Sequence, residues 1–159
     1  MNLYDEFFSV TSLFNKLRIR YAVVGGIALA FHSVPRFTRD IDILVRNDDM
    51  DLLRTAMDRL GYEETAEPWM LANTTLTLRR FLKIEGEDEI MIDILVANSE
   101  EHYMIIQSAD LAESRVGTVP IATKLDMIWL KRSRNSAQDR VDILELENND
   151  EDRESSKES

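Results

Sequence analysis

The chain has 159 residues, a length that predicts one domain able to bury a core without disulfides. It contains no cysteine and only two histidines, which excludes thiolate metal sites and disfavours a histidine-rich zinc centre. The net charge of −11 disfavours an extended nucleic-acid footprint or adhesion to anionic membranes, because such binding depends on lysine and arginine neutralising phosphates. The sequence shows no signal peptide and no apolar run long enough to cross a membrane, so we expect a cytoplasmic, soluble protein.

The first part of the chain is predicted to form an amphipathic helix and two strands around a short helix. Apolar residues recur at helical spacing over 3–17. Residues 21–24 form a short apolar strand that ends at two glycines, and 27–31 form a short buried helix. The strand over 40–45 is apolar on both faces except for two aspartates, which indicates a central position in a sheet.

The middle of the chain is predicted to form a helix and then an antiparallel hairpin. An acidic cap opens the helix over 47–60. The runs 76–84 and 90–96 flank a Glu-Gly-Glu-Asp turn, which is typical of a hairpin. A further short extended stretch is predicted near 115–119.

Polar capping residues predict three further helices. Ser99 is placed to begin one of them, and Thr123 and Ser136 each begin a capping box with an aspartate three positions later. The last two helices should form a C-terminal helical pair within 121–147.

These elements predict a single α/β domain over residues 1–147, with a mixed sheet and flanking helices. The final stretch, 148–159, is rich in acidic residues. We expect it to form an acidic, disordered tail.

Three aspartates on two of the predicted strands form a candidate metal site. Side chains alternate along a strand, so Asp40 and Asp42 project from the same face. If the strand that contains Asp93 lies alongside, its carboxylate joins the other two. Three clustered carboxylates favour bound cations, and hard oxygen ligands suit Mg²⁺ or Mn²⁺.

The residues that precede the acidic strand form a candidate phosphate site. Gly25 and Gly26 lack Cβ atoms and so allow an anion to approach the backbone closely at the start of a helix. Arg36, Thr38 and Arg39 add guanidinium and hydroxyl donors directly before Asp40.

The order of these motifs resembles the DNA polymerase β-type nucleotidyltransferase superfamily. The shared features are a Gly-Gly turn, the Asp-Ile-Asp-Ile strand at 40–43 and the separate Ile-Asp-Ile strand at 92–94. The R-x-T-x-D-I-D sequence at 36–42 and the late basic helix look like the small bacterial members, which include AbiEii-like toxins and antibiotic nucleotidyltransferases. The core motifs cover 21–96.

This resemblance implies transfer of a nucleoside monophosphate from a nucleoside triphosphate to a hydroxyl of an RNA, protein or small-molecule acceptor. Two divalent ions, Mg²⁺ or Mn²⁺, are implied, with Asp40 and Asp42 bound to both and Asp93 bound to the ion that activates the acceptor. Lys131 is the family-like candidate for contacting the triphosphate or the acceptor.

Two alternatives remain open from the sequence. The Asp-x-Asp pair could serve only as a partner of Arg36 and Arg39 at the end of a sheet. The chain could also be a non-catalytic member of the same fold that binds a nucleotide or a protein, for example a toxin–antitoxin component. Asp139 and Asp142 are expected to cap the last helix or to pair with Arg140 and its neighbours.

Overall fold

A computed structural model describes residues 1–34 and 38–157, with side chains up to residue 148. Within those ranges the helices are α1 (Leu3–Lys16), α2 (Gly25–Phe31), α3 (Met50–Arg59), α4 (Glu100–Gln107), α5 (Lys124–Arg134) and α6 (Ala137–Lys157), and a 3₁₀ turn covers Asn47–Asp49. The strands are β1 (Tyr21–Val24), β2 (Asp40–Arg46), β3 (Glu63–Glu64), β4 (Trp69–Met70), β5 (Thr77–Glu85), β6 (Asp88–Ala97), β7 (Asp110–Ser114) and β8 (Gly117–Ile121).

The described strands form one mixed sheet in the order β3-β5-β6-β2-β1-β8-β7, and β4 also pairs with β5. β2 lies at its centre, parallel to β6 and antiparallel to β1. The predicted mixed α/β fold and the hairpin of β5 with β6 are confirmed. This arrangement places the acidic strand between two neighbours, so residues 42–45 are paired with a strand on either side.

The alternation of side chains along β2 separates core from site. Ile41, Ile43 and Val45 are fully buried. Asp40 and Asp42 are only partly buried and project to the opposite face. One face of β2 therefore belongs to the hydrophobic core and the other carries the carboxylates.

The C-terminal helices begin with the predicted caps. The backbone N–H of Asp126 donates to Thr123 Oγ1 at 3.1 Å. In the second box, the Asp139 N–H donates to Ser136 Oγ at 3.0 Å, and the Ser136 N–H donates to Asp139 Oδ2 at 3.0 Å. These bonds satisfy N–H groups that have no partner within the helix.

Two features of the fold differ from the sequence prediction. The extended stretch predicted near 115–119 is instead one strand of a hairpin between β7 and β8. β7 was missed because its sequence, Asp-Leu-Ala-Glu-Ser, has little apolar character and lies at an exposed sheet edge. The last helix also continues to Lys157, beyond the predicted end at 147.

None of the helices in the described ranges has the length and apolar character needed to cross a membrane.

The packing of α6 predicts an asymmetric response to truncation of two leucines. Leu146 is fully buried, whereas Leu144 is 59% exposed on the same helix. We expect Leu146→Ala to lower the free energy of unfolding by about 2–4 kcal/mol, because it removes buried methyl groups and leaves a cavity. Leu144→Ala should change it by less than about 0.5 kcal/mol. Urea denaturation followed by circular dichroism measures both, and equal effects would show that α6 does not pack as described.

Candidate active site

The parallel pairing of β2 with β6 brings the three predicted aspartates together. Asp42 is the register partner of Asp93, and Asp40 lies two residues before Asp42 on the same face. Asp93 is 6% exposed. The sequence-based expectation that the strand of Asp93 lies beside the Asp-x-Asp strand is confirmed.

These carboxylates open into a cavity of about 340 Å³. Every predicted site residue within the described ranges lines it: Gly25, Gly26, Thr38, Arg39, Asp40, Asp42, Asp93 and Lys131. Arg36 falls among residues 35–37 and lies outside the description. The cavity therefore collects residues from β1, α2, β2, β6 and α5, which are distant in sequence.

The two glycines are required by the side chains that approach them. Gly25 has φ +67°, and a Cβ there would collide with the carboxylate of Asp42. A Cβ on Gly26 would lie 2.6 Å from Thr38 Oγ1. Thr38 Oγ1 in turn donates to the Asp40 carbonyl oxygen at 2.9 Å. The Gly-Gly turn thus lets β1 and α2 close tightly over the acidic strand.

The clustering of like charges changes the acidity of two carboxyl groups. Burial, and after it the charges of Asp93 and Asp40, raise the pKa of Asp42 to about 7. Burial is also the largest cause that raises the pKa of Asp40, followed by the charge of Asp93. A cation bound at this site would relieve both effects.

Asp93 already has a cationic partner that sequence reasoning missed. Arg80 on β5 is its register partner and donates through Nε at 2.8 Å to Oδ1 and through Nη2 at 3.1 Å to Oδ2. Counting equally outward from the predicted turn at 85–88 pairs these two residues, so the signal was present in the sequence. Among the described residues, no group of three or more His, Cys, Asp or Glu side chains is arranged to hold a metal ion.

The late basic helix contributes two of its cations to the cavity. Lys131 and Arg134 line it, whereas Arg132 points away and pairs with Glu147. Lys131 Nζ donates to Asp142 at 3.1 Å, and Arg134 donates two bonds to Asp139 at 2.6 and 2.9 Å.

Asp139 caps the last helix as expected, but the expected pairing of the two α6 aspartates with Arg140 is wrong. Asp139 and Asp142 are buried and pair with Arg134 and Lys131, whereas Arg140 donates instead to the Asn135 carbonyl oxygen. Burial acts to raise the pKa of Asp139, but the hydrogen bonds from Arg134 and Ser136 outweigh it and lower that pKa well below its usual range. The fixed negative charges of α6 therefore hold the cations of α5 at the cavity.

An apolar wall lines the cavity together with the carboxylates. Its members come from the segment between β4 and β5, from the strands and from α5: Leu71, Leu76, Leu78, Leu95, Met127 and Leu130. Nothing in the sequence pattern singled out the segment before β5. The cavity therefore combines a charged floor with a surface suited to an uncharged part of a ligand.

A profile of the family described as nucleotidyl transferase AbiEii toxins of type IV toxin–antitoxin systems matches residues 11–157. No curated protein sequence matches the chain.

Three solved structures share the fold at low sequence identity. The lincosamide antibiotic adenylyltransferase LnuA, bound to lincomycin, is 18% identical with a TM-score of 0.58, covering 90% of this chain and 95% of its own. ANT(2'')-Ia in complex with adenylyl-2''-tobramycin is 15% identical with a TM-score of 0.54, covering 88% and 84%. A candidate nucleotidyltransferase from Thermotoga maritima is 12% identical with a TM-score of 0.53, covering 100% and 97%.

The contact between the Gly-Gly turn and Asp42 predicts a destabilisation specific to Gly25. Gly86 also has a left-handed backbone, with φ +62°, but a Cβ there meets nothing within 4 Å. Gly86→Ala should therefore lower the free energy of unfolding by only about 1 kcal/mol, which is the cost of a side chain in a left-handed backbone. Gly25→Ala should lower the free energy of unfolding by roughly 2 kcal/mol more than Gly86→Ala, because the new methyl group collides with Asp42. Equal losses in urea denaturation would contradict the described contact.

The raised pKa of Asp42 predicts a pH-dependent stability in the absence of divalent ions. Because the native state binds this proton more tightly than the unfolded state, stability should fall as the pH rises from the ordinary carboxyl value to about 7. Between pH 5 and pH 8 in EDTA, the free energy of unfolding of wild type should fall by roughly 2–3 kcal/mol more than that of Asp42→Asn. Asp58→Asn, which removes an exposed carboxylate, should retain the wild-type slope. Chemical denaturation at each pH measures the slopes, and parallel slopes for wild type and Asp42→Asn would overturn the assignment.

Proposed function

Because the chain belongs to the AbiEii family of nucleotidyltransferases, we propose that it transfers a nucleoside monophosphate from a nucleoside triphosphate to a hydroxyl of an acceptor. One observation carries the proposal. The register of β2 with β6 places Asp42 beside Asp93, with Asp40 on the same face, at the floor of a cavity bounded by the Gly-Gly turn. A site that served only structure would have no reason to gather three like charges around an open cavity.

The carboxylate oxygens of the three aspartates are the type of donor that suits Mg²⁺ or Mn²⁺. Asp40 and Asp42 supply hard oxygen ligands, and Asp93 adds a third carboxylate beside them. The raised pKa values of Asp40 and Asp42 reflect burial and negative charge that a divalent ion would offset. When bound, two such ions would neutralise the triphosphate and lower the pKa of the acceptor hydroxyl.

The remaining residues of the cavity position and screen the nucleotide. Lys131 and Arg134 lie on the α5 side, and Arg39 lies beside Asp40. These cations are placed to attract the negative oxygens of a polyphosphate. The apolar wall leaves part of the cavity without polar groups, and a less polar surrounding strengthens the electrostatic interactions within it.

The net charge of the protein restricts which acceptors can dock. A net charge of −11 opposes a long nucleic-acid footprint. Docking of one RNA end, a protein hydroxyl or a small molecule needs only a local contact near the cavity. These three classes are therefore the acceptors to be tested.

A second candidate function is supported by the ion pair at Asp93. With both carboxylate oxygens held by Arg80, the protein would bind a nucleotide or a protein partner through the same cavity without transferring a nucleotide. Such a protein could still act as a component of a toxin–antitoxin pair.

A transfer assay separates the two functions. Purified protein is incubated with Mg²⁺, α-labelled triphosphates and each acceptor class, namely tRNA, cell protein and aminoglycosides or lincosamides. We expect a labelled product that falls by roughly 100-fold or more in Asp40→Asn/Asp42→Asn, because these changes remove the metal ligands. Asp58→Asn is the matched control and should retain activity.

Calorimetry of triphosphate binding supplies the second arm of that experiment. Magnesium-dependent binding that survives unchanged in Asp40→Asn/Asp42→Asn would contradict the proposed site. Binding lost in the double variant, with no labelled product from wild type and any acceptor, would favour the non-catalytic function.

A further inference from the structure

The ion pair between Arg80 and Asp93 has ordinary bidentate geometry, but its carboxylate lies in the candidate active site. The guanidinium uses two nitrogens, at 2.8 and 3.1 Å, to engage both oxygens of a carboxylate that is 6% exposed. Bidentate pairs of this kind are the strong form of an arginine–carboxylate contact. Here the pair occupies a carboxylate that the proposed function requires as a metal ligand.

The charges of the other two aspartates also act on Arg80. Its pKa is raised first by the hydrogen bond to Asp93 and then by the charges of Asp93, Asp40 and Asp42. Its guanidinium carbon lies 5.2 Å from the ring centroid of Trp69 on β4, within the range of a cation–π contact. The side chain is 34% exposed, so it has room to move away from Asp93.

We propose that Arg80 is the resident counter-ion of Asp93, and that loading of a divalent ion is an exchange in which the ion displaces the guanidinium from this carboxylate. The inference rests on the proposed function and concerns how its metal site is filled. The two cations compete because Arg80 donates to both oxygens of Asp93, leaving neither free of a strong cationic partner.

The exchange gives Arg80 a positioning role. It keeps the buried negative charge of Asp93 compensated before an ion binds. It also lowers the affinity for a free ion, because only the fraction of molecules with Asp93 released can bind it fully. A triphosphate that brings its own oxygens would favour loading of the ion together with the nucleotide.

The neighbouring residue supplies a matched control. Arg79 forms the same type of bidentate pair, with Glu64, at 2.7 and 3.0 Å. Its side chain is 23% exposed, which is comparable to Arg80, but successive residues of β5 project to opposite faces, so this pair lies away from the three aspartates.

The direct test measures binding of Mn²⁺ alone, without nucleotide, from the electron paramagnetic resonance signal of the free ion at pH 8. Wild type, Arg80→Gln and Arg79→Gln are compared. We expect Arg80→Gln to bind Mn²⁺ roughly 10-fold more tightly than wild type, because the competitor is gone. Arg79→Gln should remain within about 2-fold of wild type, because its partner is not in the site.

A second readout follows the release of the guanidinium itself. The chain has two tryptophans, so Trp129→Phe leaves Trp69 as the only fluorescent indole. Addition of Mg²⁺ should change the emission of Trp69 in this background, because the neighbouring cation moves. The change should disappear when Arg80→Gln is added. The response of Trp69 in the protein that keeps Arg80 does not depend on how well Arg80→Gln folds.

The outcomes distinguish failure of the exchange from failure of the proposed function. If wild type binds Mn²⁺ and Arg80→Gln binds it equally or more weakly, the exchange is wrong and the metal site stands. The exchange is also wrong if the protein binds Mn²⁺ but the fluorescence of Trp69 does not change when Mg²⁺ is added. If no variant binds Mn²⁺ even with a non-hydrolysable triphosphate present, the metal site of the proposed function fails, and the exchange fails with it.

Discussion

The parallel pairing of β2 with β6 sets Asp42 next to Asp93 at one level of the sheet, with Asp40 two residues away on the same face. Like charges this close, and partly removed from water, disfavour each other's ionised form. The surrounding structure reflects that constraint. Gly25 and Gly26 leave room for Asp42 and Thr38, and Arg80 compensates Asp93. The mixed sheet thus concentrates negative charge, and its neighbours hold that charge in place.

The C-terminal helices are part of the site rather than an appendage to it. Two buried aspartates on α6 hold Lys131 and Arg134 of α5 at the edge of the cavity, and the positive charges of these two residues act to lower the pKa of Asp42. A buried carboxylate therefore serves here as an anchor for a cation that faces another carboxylate. The arrangement leaves positive charge beside the aspartates, where a polyphosphate would need it.

Much of this architecture could be predicted because it depends on local patterns. The apolar run over 21–24, the two-residue periodicity of β2 and the repeated Ile-Asp-Ile-Leu-Val sequence of β2 and β6 indicate strands, and the repeat aligns Asp42 with Asp93. What escaped prediction depends on contacts between distant elements. The apolar wall needs the segment before β5 to lie at the cavity, and the choice of Arg134 over Arg132 as the companion of Lys131 depends on how α5 rotates against α6.

The most direct test of the central claim follows the fate of the two ends of the triphosphate. Wild-type protein is incubated with Mg²⁺ and an acceptor, using triphosphate labelled at either the α- or the γ-phosphate. Nucleotidyl transfer predicts that α-label becomes covalently attached to the acceptor and that γ-label leaves in pyrophosphate. Attachment of the γ-label, or release of inorganic phosphate in place of pyrophosphate, would contradict the reaction assigned to this site.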